Sequence, residues 1–412
     1  MMNKFRGPDD DNFNIVSAKI AEIFEKAQTL EHRTPDERTC MISLSTKYEE
    51  GKDRNPKRVS GTCEWFLKHP MFRKWHREGT GVLLWVTAGP GCGKSVLCKA
   101  LLDEGLVAPD EPTVRTFSTC YFFFKDDDPD RCSGADALRA ILHQLFTQRP
   151  ALLTHAMLDF ENHGERFRDM FGILWNILMK ATADPDAGLV VCVLDALNGC
   201  EGPTREALIE KLAGFYLAQH KRKPNLKFLV TSRPYADIKA AFCYVVDDLP
   251  SINLEGDKES ASIGKEIDLV IEYEIPRITR DRSLNKETQE FLVKHLKSMD
   301  NRTYLWLHLI LDEIQRSLES SQRQLRQLLK EIPSSVDTAY ERILNRVTDS
   351  KLVKKARGLL HIFVSAERPL TLQEINIALA ILEKFENGEN CTSENDLETD
   401  SLDTFEQKVQ SL

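Results

Sequence analysis

Short, uninterrupted apolar runs alternate with stretches of helical spacing along the first two thirds of this chain. Gly81-Val82-Leu83-Leu84-Trp85-Val86 reads as a buried strand, Leu189–Asp195 as a central parallel strand buried on both faces, and Leu226–Ser232 as another strand. Thr113 to Phe124 is rich in β-branched and aromatic residues and reads as a further strand, and Cys243 to Val246 as the last of the sheet. Helices are expected from Val96 to Leu102, from Ser133 to Phe146, from about Arg166 to Ala181 and from Pro203 to Leu217. In the second of these, Ala135, Leu138, Ile141, Leu142 and Leu145 fall on one face. Strands separated by helices predict a mainly parallel sheet and an α/β core.

Either side of this block the spacing is helical. Phe13, Val16, Ile20, Ile23, Ala27 and Leu30 recur at three- and four-residue steps, which predicts an amphipathic helix. It suits docking on the rest of the protein, or a short partner-binding coiled coil. Residues 31–57 are charged and irregular and read as a linker. Thr62 is placed to cap a short helix that Pro70 interrupts, with a second from Met71 to about His76. Packing accounts for Trp65, Phe66 and Trp75, and folding over a bound adenine is the alternative. From about Gly256 helices dominate: around Ile267–Ile271, Thr288 to Met299, Leu305 to Leu318, Lys351 to Val364, and one capped by Thr371 with Glu374. Ser334 and Asp337 make a similar start for a stripe of Val336, Tyr340, Ile343 and Val347. Residues 386–403 are acidic and polar, and disorder is expected there, as in residues 1–12. The expected divisions are 1–57, 58–255 for the core, 256–332 for an all-α domain, and 333–412.

Composition narrows the function classes. A net charge of −9 over 412 residues argues against general nucleic-acid binding. No apolar run approaches the length of a membrane span, and the first residues lack a signal-peptide pattern. The ten cysteines show no C-x-x-C spacing, and several lie inside apolar runs. Buried reduced thiols in a cytoplasmic protein are expected, without a zinc site or disulfide framework.

The candidate chemistry sits at strand ends. Thr87-Ala88-Gly89-Pro90-Gly91-Cys92-Gly93-Lys94-Ser95 follows the first strand and opens a helix, the context of a phosphate-binding P-loop. Glycines allow backbone N–H groups to curl round a triphosphate, and the helix N-terminus adds partial positive charge. Gly89, Pro90, Gly91, Cys92, Gly93, Lys94, Ser95 and Val96 are the expected nucleotide contacts. Lys94 is assigned to the β/γ-phosphates and the Ser95 hydroxyl to Mg²⁺. Asp195 ends an apolar strand, where a carboxylate points into the ligand crevice and holds Mg²⁺ with Ser95. Arg233 also stands at a strand end and is the candidate γ-phosphate sensor. Asp126-Asp127-Asp128 reads as a solvated turn rather than a metal site.

These blocks in this order resemble the NACHT domains of fungal NLR-like STAND NTPases. The resemblance rests on Gly61-Thr62-Cys63-Glu64-Trp65, the P-loop, Leu194-Asp195-Ala196-Leu197, and Thr231-Ser232-Arg233-Pro234. It continues in Tyr304-Leu305-Trp306, Ile332-Pro333 with Ala339-Tyr340-Glu341, and Arg368-Pro369-Leu370-Thr371. It implies a P-loop NTPase core, a helical domain and a winged helix, here partial. It also implies an ADP-bound resting state, an ATP-bound oligomerising state, and roles in nonself recognition and regulated cell death. Asn198 and Gly199 stand where such proteins usually carry acidic residues, so weak or absent hydrolysis is expected. Arg302-Thr303 replaces a glycine usual before the Leu-Trp pair. The chain stops within the winged helix and lacks a sensor repeat, so a truncated product is expected. The leading function is a nucleotide-controlled switch binding ATP or ADP with Mg²⁺ and working through self-association or a protein partner. A turnover ATPase and a non-enzymatic scaffold are the alternatives.

Overall fold

In the computed structural model the described residues are 33–77, 82–109, 116–217, 225–245, 249–254, 257–281, 286–299, 302–317, 336–345, 350–366 and 370–386. The helix expected over 13–30 and the acidic segment 386–403 lie, but for Glu386, outside them, as do Ser334 and Val347. The chain divides into two compact units, Met1–Asp281 and Arg282–Leu412.

The first unit is built on a parallel sheet of β1 (Val82–Thr87), β2 (Phe117–Phe123), β3 (Leu189–Asp195), β4 (Leu226–Ser232) and β5 (Ser251–Asn253). Their order is β2-β3-β4-β1-β5. Period two sorts the side chains. Leu83, Trp85, Cys120, Phe122, Val190, Cys192, Phe228 and Val230 enter the large core on one face. Helices Gly134–Gln148, Phe171–Thr182 and Gly202–Leu217 supply that core's outer layer. Leu84, Val86, Val191, Val193 and Leu229 are equally buried, so both faces are covered and the runs read as continuously apolar. Strands β1, β3 and β4 end on polar residues, at Thr87, Asp195 and Ser232.

Several expectations are corrected. Residues 33–57 are not an irregular linker. Thr34 and Glu37 form a capping box for helix Pro35–Leu44, which buries Cys40, Met41 and Leu44 in the large core, and helix Tyr48–Asp53 follows. The helix is almost without amphipathic pattern because its exposed face keeps Ile42 (73% exposed). Cys243 to Val245 belongs to helix Ala236–Val245, not to a strand. Ile238 and Phe242, four apart, bury one face of it, and Phe242 stacks 4.7 Å from Trp85. The edge strand is instead Ser251–Asn253, hydrogen-bonded along β1. Thr62 does not cap: its hydroxyl donates to Val59 O, and Cys63, at φ 67°, precedes helix Glu64–Lys68. Pro70 opens helix Pro70–Arg77 rather than only ending the one before it, as its preset φ permits. The stretch from Arg166 starts as a 3-10 turn, Gly164–Asp169, before helix Phe171–Thr182.

In the second unit helices Lys286–Lys297, Tyr304–Ser317, Val336–Asn345, Ser350–Ser365 and Leu372–Glu386 stand where helices are expected, but Tyr340 and Leu372, expected on apolar stripes, are exposed. Thr371 and Glu374 exchange the two bonds of a capping box, 2.8 Å and 3.3 Å. Leu359, Ile375 and Leu379 pack together above them.

Candidate nucleotide site

The loop after β1 turns through Gly91 at φ 74° and Gly93 at φ 79°, conformations that a Cβ disfavours. Gly93 is the N-cap of helix Lys94–Asp103, so the helix starts on the lysine. Lys94 Nζ folds back over the loop and donates to Ala88 O at 2.7 Å and Gly89 O at 2.8 Å. Pro90 is exposed, while Cys92, Gly93, Ser95 and Val96 are half-buried at the mouth of the turn. Ala88, in place of the usual first glycine, is fully buried, and its N–H donates to Ser232 O.

Asp195 comes to the same place from two strands away. Because β4 lies between β1 and β3, the loop and this carboxylate are separated by one strand, roughly 10 Å of sheet. Thr231 of β4 fills that gap: its hydroxyl donates to Asp195 Oδ1 at 2.6 Å and accepts the Ala196 N–H at 2.9 Å. Ser95 and Cys98, from the loop's helix, lie beside the same carboxylate. Burial pushes the Asp195 carboxyl above its ordinary value, against the bonds from Ser95, Thr231 and Cys98 and the charge of Lys94. Burial likewise pushes the Cys98 thiol well up, and the adjacent carboxylate adds to this. The structure therefore brings Lys94, Ser95 and Asp195 into one cluster. Hydroxyl and carboxylate are hard oxygen donors held against each other, a donor set that fits Mg²⁺.

Beyond Asp195 the chain turns at Ala196, φ 56°, into the short turn Leu197–Gly199. Asn198 uses its Oδ1 to accept the Arg233 N–H at 3.0 Å, tying the end of β3 to the end of β4. Gly199 faces backbone: a Cβ there would lie 3.2 Å from Lys125 N and 3.3 Å from Asp126 N. A glutamate at 199 would need that neighbouring strand end to give way. Arg233 itself is exposed. Its guanidinium donates to the Tyr235 hydroxyl at 2.8 Å and lies 5.8 Å from that ring's centre. Its backbone, not its side chain, is what the structure joins to the Asp195 loop. Asp126–Asp128 form a turn in which Lys125 pairs with Asp127 and Arg131 with Asp128.

The sequence reading missed Thr231, Cys98 and Tyr235. Thr231 carried a signal: a hydroxyl directly after the apolar Phe228-Leu229-Val230 of its strand, in register with Val86 of β1.

A family model described as nephrocystin 3, N-terminal, matches residues 61–233. That range runs from the turn before Cys63 to Arg233. Vegetative incompatibility protein HET-E-1 of Podospora anserina is 23% identical over 316 residues, 76% of this chain. The chain spans 22% of that protein's length. Among solved structures, Drosophila ORC bound to DNA is 10% identical with a TM-score of 0.41, covering 92% of this chain and 85% of that one. The Walker-type ATPase of Pyrococcus abyssi is 14% identical with a TM-score of 0.38, covering 81% and 93%. Likenesses that slight carry no functional reading. Among the described residues no helix is long and apolar enough to cross a membrane.

Proposed function

We propose that this chain, whose core is that of a NACHT-type P-loop NTPase, is an ATP/ADP-binding signalling switch with weak hydrolysis. One observation carries the reading: the buried Asp195 carboxylate lies beside the Ser95 hydroxyl and the Lys94 amine, although β4 separates their strands in the sheet. In this reading the half-buried backbone of Gly91, Cys92 and Gly93 receives the phosphates, and Lys94 leaves the two loop carbonyls for them. Ser95 and Asp195 hold Mg²⁺, which when bound offsets charge on the β/γ-phosphates. Arg233 answers to the terminal phosphate by leaving Tyr235.

Weak hydrolysis follows from Asn198 and Gly199. Neither side chain takes a proton from water, and Asn198 already spends its oxygen on Arg233. Binding without rapid turnover suits a switch, in which differential contacts to two nucleotides bias a conformational equilibrium. The reading extends to a role in nonself recognition or regulated cell death, to action through self-association or a protein partner, and to a cytoplasmic location.

The test is thermal denaturation with ATP–Mg²⁺ and with ADP, alongside phosphate release. Saturating nucleotide at about 100 times its dissociation constant stabilises by roughly 2.7 kcal/mol. A clear shift, lost in Lys94→Ala, with little phosphate released is the expected result. An unmoved transition with both nucleotides refutes the switch, and brisk release dependent on Lys94 assigns a turnover ATPase.

A further inference from the structure

The opposite end of the sheet carries a second feature. Within a chain of net charge −9, residues 65–77 contain Lys68, His69, Arg73, Lys74, His76 and Arg77 and no carboxylate. Helix Pro70–Arg77 gathers these cations beside two adjoining depressions of 540 Å³ and 490 Å³ that share Arg73 and Arg77. Lys68, Pro70 and Lys74 complete the lining of the first, and apolar Leu67, Phe72 and Leu106 contribute to the second. Among the described residues, no carboxylate lies within ion-pair distance of Lys68, Arg73 or Arg77.

The helix is held rigidly although it has barely two turns. Phe72 and Trp75 are buried, and Trp75 Nε1 donates to Phe228 O at 3.0 Å. Lys227, itself 3% exposed in β4, donates its amine to Trp75 O and His76 O at 3.1 Å and 3.0 Å. His76 Nε2 lies 2.7 Å from Ala108 O, joining the helix to the segment that forms the far wall. Helix Pro70–Arg77 precedes the amino end of β1, whereas the P-loop leaves its carboxyl end. The two sites are therefore separated by the strand's length, roughly 20 Å.

The geometry points to a second anion site, for an organic polyphosphate: clustered phosphate groups on Arg73, Arg77 and Lys68, around a compact carbon ring held between them. Arginine suits phosphate because its planar fork bonds two oxygens at once. A cavity of this size accommodates a small organic ligand, not a folded partner. The same chemistry is found in a soluble inositol polyphosphate and in a phosphoinositide headgroup.

The test uses the full chain and inositol hexakisphosphate, titrated by calorimetry into the wild type, Lys94→Ala, and the double variant Arg73→Glu with Arg77→Glu. Binding to wild type and Lys94→Ala alike, weakened by about tenfold or more in the double variant, is the expected result. An ATP-induced thermal shift retained by the double variant shows that its fold survives. Lack of binding to wild type, or binding indifferent to Arg73 and Arg77, overturns the proposal. Loss in Lys94→Ala would place the ligand in the P-loop and overturn it too. Sedimentation with phosphatidylcholine vesicles, with and without phosphatidylinositol bisphosphate, decides between sources: retention only on the latter assigns the headgroup, none on either the soluble ligand. Tighter binding of a single-stranded oligonucleotide than of inositol hexakisphosphate assigns the face to nucleic acid and overturns the small-ligand reading.

Discussion

Thr231 and Asp195 form the inner seam of the candidate site: a threonine hydroxyl from the middle strand donates, at 2.6 Å, to the carboxylate on which the site depends. The same oxygen accepts the Ala196 N–H, so one side chain fixes both the carboxylate and the turn after it. Thr231→Val keeps the shape and removes donor and acceptor together. It is expected to cost about 1–3 kcal/mol in denaturant-induced unfolding and to reduce the ATP–Mg²⁺ thermal shift, while Thr231→Ser retains both. Equal loss in the serine variant would mean that packing, not the hydroxyl, matters here.

Asn198 sets the second strand-end tie. Asn198→Ala removes the acceptor of the Arg233 N–H and should cost roughly 1 kcal/mol, with a smaller difference between the ATP and ADP shifts. Asn198→Asp keeps the acceptor and adds a carboxylate where a water would be activated. Steady-state phosphate release should rise, by up to about 100-fold. Adding Gly199→Glu should bring no further gain and should lower stability, because position 199 abuts the Lys125–Asp126 backbone. A synergistic rise in the double variant would contradict that steric account.

His143 makes stability depend on pH near neutrality. It sits on helix Gly134–Gln148 against the Tyr48 ring, 5.9 Å away, with Arg33 nearby and Arg139 one turn earlier. Burial lowers its pKa from 6.5, and the Arg33 charge lowers it further. The unfolded chain therefore binds a proton below pH 6.5 that the native protein resists. This contribution is fully present above 6.5 and is lost as pH falls through it, at up to about 1.4 kcal/mol per pH unit. His143→Gln should flatten the stability profile between about pH 6.5 and the lowered value. An unchanged slope would show that other groups set it.

Lys227, a buried cation, donates to two helix-end carbonyls. Lys227→Met fills similar volume and leaves both carbonyls without that donor. A loss of about 2–3 kcal/mol is expected, with a change in tryptophan emission, since the amine lies 5.5 Å from the Trp75 ring. Retained stability would show that the helix end finds other donors.

Local pattern by itself determined the four long strands, the glycine turn, the carboxylate at the end of β3 and most of the helices. Each of those signals is contained in a few adjacent residues: a run of apolar side chains, a positive-φ glycine, a cap. The short elements were decided by partners far along the chain. Residues 35–44 carry no clear stripe and become an ordered helix because Cys40, Met41 and Leu44 meet the core. Cys243–Val245 is rich in strand formers, yet stays helical because Phe242 packs on Trp85. The site divides in the same way. Lys94, Ser95 and Asp195 were legible as motifs, but only strand order places β4 between them. That order makes Thr231 the bridge, sends the Arg233 side chain to Tyr235, and occupies Asn198 with a backbone amide. Hydrogen bonds between strand ends join residues over thirty positions apart, and no spacing within one segment encodes them.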